Sequence, residues 1–190
     1  ASTDAPAAST DAGTDASSDS QAPDASRTRL VFVIKDPLAG NFNVGDDDAA
    51  DKACALEGQT LVPGASFMAG LCWRQQGSQD LRTRLPDMTE WTTKSGTVAV
   101  RTANGKLSFV AGVTGLDGKP GQAVWTGCTF EGNKKPTSTG ITTSCTGWNS
   151  TAGGSDKGGV GDPTRPDAAL DAGDVACFME RRWYCFEVPK

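Results

Sequence analysis

Six cysteines, Cys54, Cys72, Cys128, Cys145, Cys177 and Cys185, constrain this chain more than any other feature. They lie at wide, irregular spacings with no C-x-x-C pair, a pattern that fits neither a zinc ribbon nor a thioredoxin-type motif. An even count in a Gly- and Thr-rich chain argues instead for disulfides made in an oxidising compartment, so the chain is expected to be exported. Six cysteines allow 15 pairings, and local pattern does not choose among them. Histidine is absent. That absence removes Ser-His-Asp and Cys-His nucleophile systems, the common zinc sites and the usual neutral-pH general base.

The first 28 residues differ from everything after them. "ASTDAPAASTDAGTDASSDSQAPDAS" carries a seven-residue near-repeat and no aromatic or branched aliphatic side chain. Such a stretch cannot bury enough apolar surface to offset the entropy of ordering it, which predicts a disordered, solvated linker over 1–28 and one domain over 29–190. The net charge of −5 belongs to this tail: residues 1–25 hold five of the 23 acidic side chains and none of the 18 basic ones. The rest is balanced at 18 of each, so no nucleic-acid footprint is expected. Ser/Thr/Asp/Ala stretches of this kind serve as spacers between a surface anchor and a domain. The membrane is therefore expected to enter only through a lipid anchor upstream of residue 1; a dispensable exported N-terminus is the alternative.

Within the domain, "RLVFVIKD" (29–36) reads as a central strand, broken by Pro37 and Gly40. Asp46, Asp47 and Asp48 crowd an expected helix start, Ala49 to Glu57 form the helix with Cys54 and Ala50 on its inner face, and Gly58 stops it. "ASFMAGLCW" (65–73) reads as a strand, and "SQDLRTRL" (78–85) as a short helix capped by Ser78 and halted before Pro86. Two alternating runs around Asn104-Gly105 signal a hairpin within 96–112. Val124-Trp125 mark a further strand, a glycine-heavy loop is expected from Thr151 to Asp174, and 175–188 gives two short strands meeting near Glu180-Arg181. The last of these, "RRWYCFEV", is apolar on both faces: Trp183 and Cys185 point one way, Tyr184, Phe186 and Val188 the other. A strand buried on both sides belongs mid-sheet, and the first and last strands are expected to pair in an α+β domain.

The ordered pieces are similar to a known family. "LVFVIKDPLAGNFNVGDDDAADKAC" resembles the opening of endostatin, the C-terminal domain of certain collagens: a hydrophobic strand, a Pro-Leu-x-Gly turn, then Ala50-Asp51-x-x-Cys54 on a helix. Val124-Trp125-x-Gly127, Cys145-x-x-Trp148, a Gly-rich loop, Cys177 and Tyr184-Cys185 follow in the family's order, and bacterial surface lipoproteins with endostatin-like domains resemble the chain more closely still. The resemblance implies an endostatin-like, C-type-lectin-like domain with a mixed or antiparallel sheet, two short helices, long Gly-rich loops and nested disulfides. It implies pairs Cys54–Cys185 and Cys145–Cys177, which leaves Cys72 and Cys128, without counterparts in animal endostatin, for a third. The family's usual Gly before Ala-Asp is Ala49 here, and its N-terminal zinc histidines are missing.

The family's heparin-binding arginines direct attention to Arg74, Arg82, Arg84, Lys134, Lys135, Arg181 and Arg182, which on one face would hold a sulfated or carboxylated polymer; scattered solvated charges are the plain alternative. Trp148 and Asn149 are candidates for an exposed platform against a sugar or protein partner, or for packing on the Cys145–Cys177 bridge. Asp156, Asp162, Asp167, Asp171 and Asp174 are candidate calcium ligands or turn-forming aspartates; no other cofactor is expected. The resulting expectation is a non-enzymatic, adhesin-like module on the outer cell surface, recognising an extracellular glycan or a surface or matrix protein. The alternatives are an exported carbohydrate-active enzyme using two carboxylates, although nothing in the sequence picks out a pair and the glutamates are few (Glu57, Glu90, Glu131, Glu180 and Glu187), or a structural envelope protein.

Overall fold

The last strand is the hub of the molecule. In the computed structural model, which describes residues 28–41, 49–72, 80–117, 122–133, 135, 145–148, 150–151 and 156–190, β1 is Arg29–Val33 and β9 is Arg182–Val188. They run antiparallel with Phe32 opposite Cys185. The other edge of β9 is shared: β6 (Val124–Trp125) pairs parallel with Arg182 and Trp183, and β2 (Ser66–Ala69) pairs antiparallel with Cys185 to Val188. Strands β3 (Thr89–Thr92), β4 (Val98–Ala103), β5 (Lys106–Phe109), β7 (Lys157–Gly161) and β8 (Gly173–Ala176) complete the sheet. Among the described residues the order is β5-β4-β3-β1-β9-β6-β7-β8, with β2 beside β9. Helix α1 is Ala49–Gln59 and α2 is Leu81–Arg84. The domain is thus α+β, with a mostly sheet core.

Three disulfides bond Cys54 to Cys185 and Cys145 to Cys177, the pairs implied by the resemblance, and Cys72 to Cys128, the pair left over. The first clips α1 to the middle of β9. All six cysteines are buried, and they fall on both faces of the sheet. One apolar cluster gathers Phe32, Trp183, Cys185, Trp125 and Trp148 beneath α1. The other gathers Val31, Val33, Tyr184, Phe186 and Trp91 against α2 and the β4–β5 hairpin. The two faces read from "RRWYCFEV" are the two cores.

Small residues decide how closely elements approach. On α1 the buried positions are Ala50, Cys54 and Gly58, a single stripe at helical spacing. Gly58 does not stop the helix, as the sequence reading expected; it lies in the last turn, where a Cβ would come within 2.4 Å of the Phe67 ring. The expected loop over 151–174 is also revised, because β7 and a 3-10 turn at Pro166–Ala168 lie inside it. Gly158 and Gly161 are strand residues here. A Cβ on Gly158 would meet the Trp125 ring at 2.4 Å, and one on Gly161 would overlap the Ala169 carbonyl. β8 pairs with β7 rather than with β9.

The hairpin turn forms as expected, with Asn104 and Gly105 both at positive φ, 54° and 68°. Elsewhere Cys145, Thr146 and Trp148 have φ of 47°, 55° and 65°, so the helical turn Cys145–Trp148 lies in the left-handed region. Each such residue costs about 1–2 kcal/mol; the Cys145–Cys177 bond and the packing of Trp148 on Trp125, ring centroids 5.5 Å apart, hold it there. The expected capping by Asp46–Asp48 and Ser78, and the tail up to residue 27, lie outside the described residues.

Candidate functional site

A groove of about 620 Å³ opens between α1, the segment that follows β1, the start of β9 and the loop around Leu116. Its position follows from the fold. As the chain leaves β1, Ile34 N–H donates to the Trp183 carbonyl at 3.0 Å, and Leu38 exchanges two backbone hydrogen bonds of 2.9 Å with Arg181. The Trp125 indole N–H donates to the Leu38 carbonyl at 3.0 Å, which fixes this wall from below. The opposite wall is the outer side of α1, carrying Ala53, Leu56 and Glu57. Leu56 is 76% exposed and Leu38 44% exposed, large apolar side chains that the cores leave out.

Charge collects at the rim. The Lys35 backbone N–H donates to both oxygens of Glu57 at 3.0 Å. Burial pushes the Glu57 carboxyl above its ordinary range; the Lys35 N–H opposes this, and the negative charge of Asp36 adds to it. Arg182 reaches Asp117 at 3.0 Å, closing the far end. Gly115 makes room for that pair, since a Cβ there would lie 2.8 Å from Asp117 Oδ1 and 3.0 Å from Arg182 Nη1.

A second cavity, of about 310 Å³, is lined by Leu30, Leu61, Val62, Thr92, Lys94 and Glu187 among others. Glu187 is buried and accepts the Leu30 backbone N–H at 3.0 Å, while Trp91 Nε1–H donates to its carbonyl at 2.8 Å. Its role is to tie β1 and β3 to the end of β9.

The basic residues singled out from the sequence are mostly framework. Arg84 clasps the Asp51 carboxylate with Nη2, at 3.0 and 3.2 Å, and the Ala69 and Leu71 carbonyls with Nη1, joining α2, α1 and β2. Lys135 Nζ lies 2.7 Å from both Asp171 and Asp174. Burial works against that ammonium, and the two carboxylates outweigh it, so its pKa is raised. Arg182 is held by Asp117, Arg82 is exposed with Asp80 at 3.9 Å, and Arg181 Nη1 donates to the Glu180 carbonyl at 2.7 Å. Three of these five, Arg84, Lys135 and Arg182, are bound to carboxylates of the fold at different elements. Arg74, Lys134 and Asn149 lie outside the described residues. Trp148 is fully buried, in keeping with the packing alternative and against the exposed platform: it lies in one cluster with Cys145 and Cys177 and packs on Trp125.

Of the five candidate calcium ligands, Asp171 and Asp174 share Lys135, and the other three have separate partners. Asp156 accepts from the Thr146 and Ser150 hydroxyls, Asp162 from Thr164 N–H and Oγ1–H, and Asp171 and Asp174 face Lys135. Asp167 is paired with Arg165, which holds its carboxyl below the usual range. Among the described residues no group of three or more His, Cys, Asp or Glu side chains is placed to hold a metal ion. Of the glutamates, Glu90 pairs with Arg101 at 2.7 Å and Glu131 accepts from Asn133. Glu57 was therefore visible in the sequence only as one of five; the groove sets it apart.

No protein-family model matches the chain, and no curated protein matches it in sequence. Among the described residues no helix is long and apolar enough to cross a membrane. The three disulfides are consistent with an extracellular protein.

Proposed function

We propose that this chain is a non-enzymatic binding module displayed outside the cell, an endostatin-like domain of the C-type-lectin-like kind, held off its anchor by the linker over 1–28. The fold reading is supported by the order of motifs from "LVFVIKDPLAG" to Tyr184-Cys185, together with an α+β architecture and three disulfides. The observation that carries the functional reading is the groove: exposed Leu38 and Leu56 beside a charged rim in which Glu57 is partly buried, on a frame fixed by the Cys54–Cys185 bond. Its aliphatic walls favour a surface or matrix protein over a glycan. Sugar rings stack on aromatic faces, and Trp183, the groove's aromatic residue, is buried. Sulfated polymers need a basic face, whereas Arg84, Lys135 and Arg182 are neutralised in place.

The reading of an exported carbohydrate-active enzyme keeps one specific observation: Glu57, its pKa raised by burial, stands beside Asp36 in the groove. An array of extracellular proteins and glycans, probed with the native domain and with Leu56→Arg, separates the readings. The proposal expects protein spots that vanish with Leu56→Arg. Hydrolysis of an arrayed glycan, abolished by Glu57→Gln, would replace it with the enzymatic reading.

A further inference from the structure

The groove's walls and its rim carry different chemistry, and together they specify an occupant. Leu38 and Leu56 offer exposed aliphatic surface. Among the described residues the lining comprises three carboxylates, Asp36, Glu57 and Asp117, and one cation, Lys35, with Arg182 just beyond it. Asp117 is satisfied by Arg182 at 3.0 Å. Glu57 is not: its two oxygens share one backbone N–H, that of Lys35, which fills a fraction of the roughly four acceptor positions of a carboxylate. Asp36 lies close enough for its charge to act on Glu57. A partly desolvated carboxylate short of donors gains from a ligand that brings a positive charge, and charge-assisted hydrogen bonds in such settings are the strong ones. Aliphatic walls gain from a ligand that brings hydrocarbon. A lysine or arginine side chain carries both, a long apolar stem and a cationic head.

Resting on the reading of this groove as the working surface of a binding module, we propose that it receives a lysine or arginine side chain from a segment of a partner protein. The stem lies along Leu38 and Leu56, and the head reaches Glu57 and Asp36. A groove of about 620 Å³ also admits an apolar side chain next to the basic one. The charged groups that face Glu57 are Lys35 and Asp36 from the segment after β1 and Arg182 from β9. Because burial raises the pKa of Glu57, the cation is held while that carboxyl is ionised and released as pH falls through its raised value.

The test is an amide-shift titration of the full domain with three tripeptides blocked at both ends: Leu-Lys-Leu, Leu-Gln-Leu and Leu-Glu-Leu. Leu-Lys-Leu is expected to shift Ala53, Leu56, Leu116 and Trp183, to bind about tenfold more tightly than Leu-Gln-Leu, and to lose that advantage in Glu57→Gln. Glu57→Gln keeps an acceptor for Lys35 N–H, and Asp36→Asn, at an exposed position, is the second variant; both leave the frame intact. Equal binding of all three peptides at the groove, or a groove silent to Leu-Lys-Leu, overturns the inference. The underlying reading falls separately, when Leu56→Arg leaves protein binding on the array unchanged.

Discussion

The two faces of β9 are closed by different means. On the face of Tyr184 and Phe186, rings do the work: Phe186 meets Trp91 edge-on at 5.6 Å and Phe109 at 6.5 Å, the Tyr184 hydroxyl donates to the Ala169 carbonyl, and Cys72–Cys128 is the bridge. On the face of Trp183 and Cys185, which α1 covers, two disulfides and a series of close backbone approaches do that work. Gly40 and Gly158 both lie against Cys145 Sγ, and Gly58 against Phe67. The groove is cut into this second face. Its walls stand on α1, which a disulfide holds to the centre of the sheet, so the shape of the groove is set by the fold itself. A preformed surface avoids the ordering cost that weakens flexible binding sites.

Breaking the Cys54–Cys185 bond gives the largest expected effect. In the chain-entropy estimate, which is model-dependent, a bridge across 131 residues contributes about 5 kcal/mol and one across 56 residues about 4 kcal/mol. Urea unfolding of Cys54→Ala/Cys185→Ala should therefore show a larger loss than Cys72→Ala/Cys128→Ala, against a usual total of about 5–15 kcal/mol. The reverse order would mean that the ring-packed face depends on its bridge more than the groove face does.

Gly58→Ala sharpens the same contrast. In an ordinary helix this change stabilises by about 1 kcal/mol. Here the new methyl enters the Phe67 ring, and overpacking of that kind costs about 1–3 kcal/mol, so the melting temperature should fall. On the hairpin side Gly105→Ala, at φ 68° with open space around it, should lose about 1 kcal/mol through backbone conformation alone.

The smallest effect is electrostatic. A carboxyl whose pKa is raised in the folded state adds stability below its unfolded value, and that contribution is lost as pH rises through the folded value. Glu57→Gln should remove this term, so the variant gains on the native protein as pH rises from about 4.5 towards neutrality. Glu57 is half exposed, which keeps the gain small. Paired thermal melts across that range measure it.

What the sequence disclosed, and what it hid, follows the same division. The two-sided alternation of Trp183 to Val188 and the Asn104-Gly105 turn are local patterns, and they were legible; the long-range β1–β9 pairing followed from two strands that each read as central. Strand β3 was missed because Thr-Glu-Trp-Thr offers a single large apolar side chain, Trp91. Strand β7 was missed because Lys-Gly-Gly-Val-Gly has almost no side chains; it is a strand because neighbouring rings and carbonyls occupy the places where side chains would go. Arg84 and Lys135 looked available because a sequence displays charge and not the carboxylates lying 33 and 39 residues away. The groove left one trace that the reading passed over. Leu56, two residues from Cys54, stands nearly opposite the Ala50–Cys54–Gly58 stripe, a large apolar side chain on the outer face of a helix.

The central claim is that the aliphatic groove, rather than the basic residues, is the working surface. Once a protein partner is found on the array, its dissociation constant should be measured by surface plasmon resonance for the native domain, Leu56→Arg and Arg82→Glu. Both substitutions lie at exposed positions. The expected result is a loss of at least about thirtyfold with Leu56→Arg, the scale of a hot-spot residue, and a change within about twofold with Arg82→Glu. Binding that survives Leu56→Arg and collapses with Arg82→Glu would contradict it.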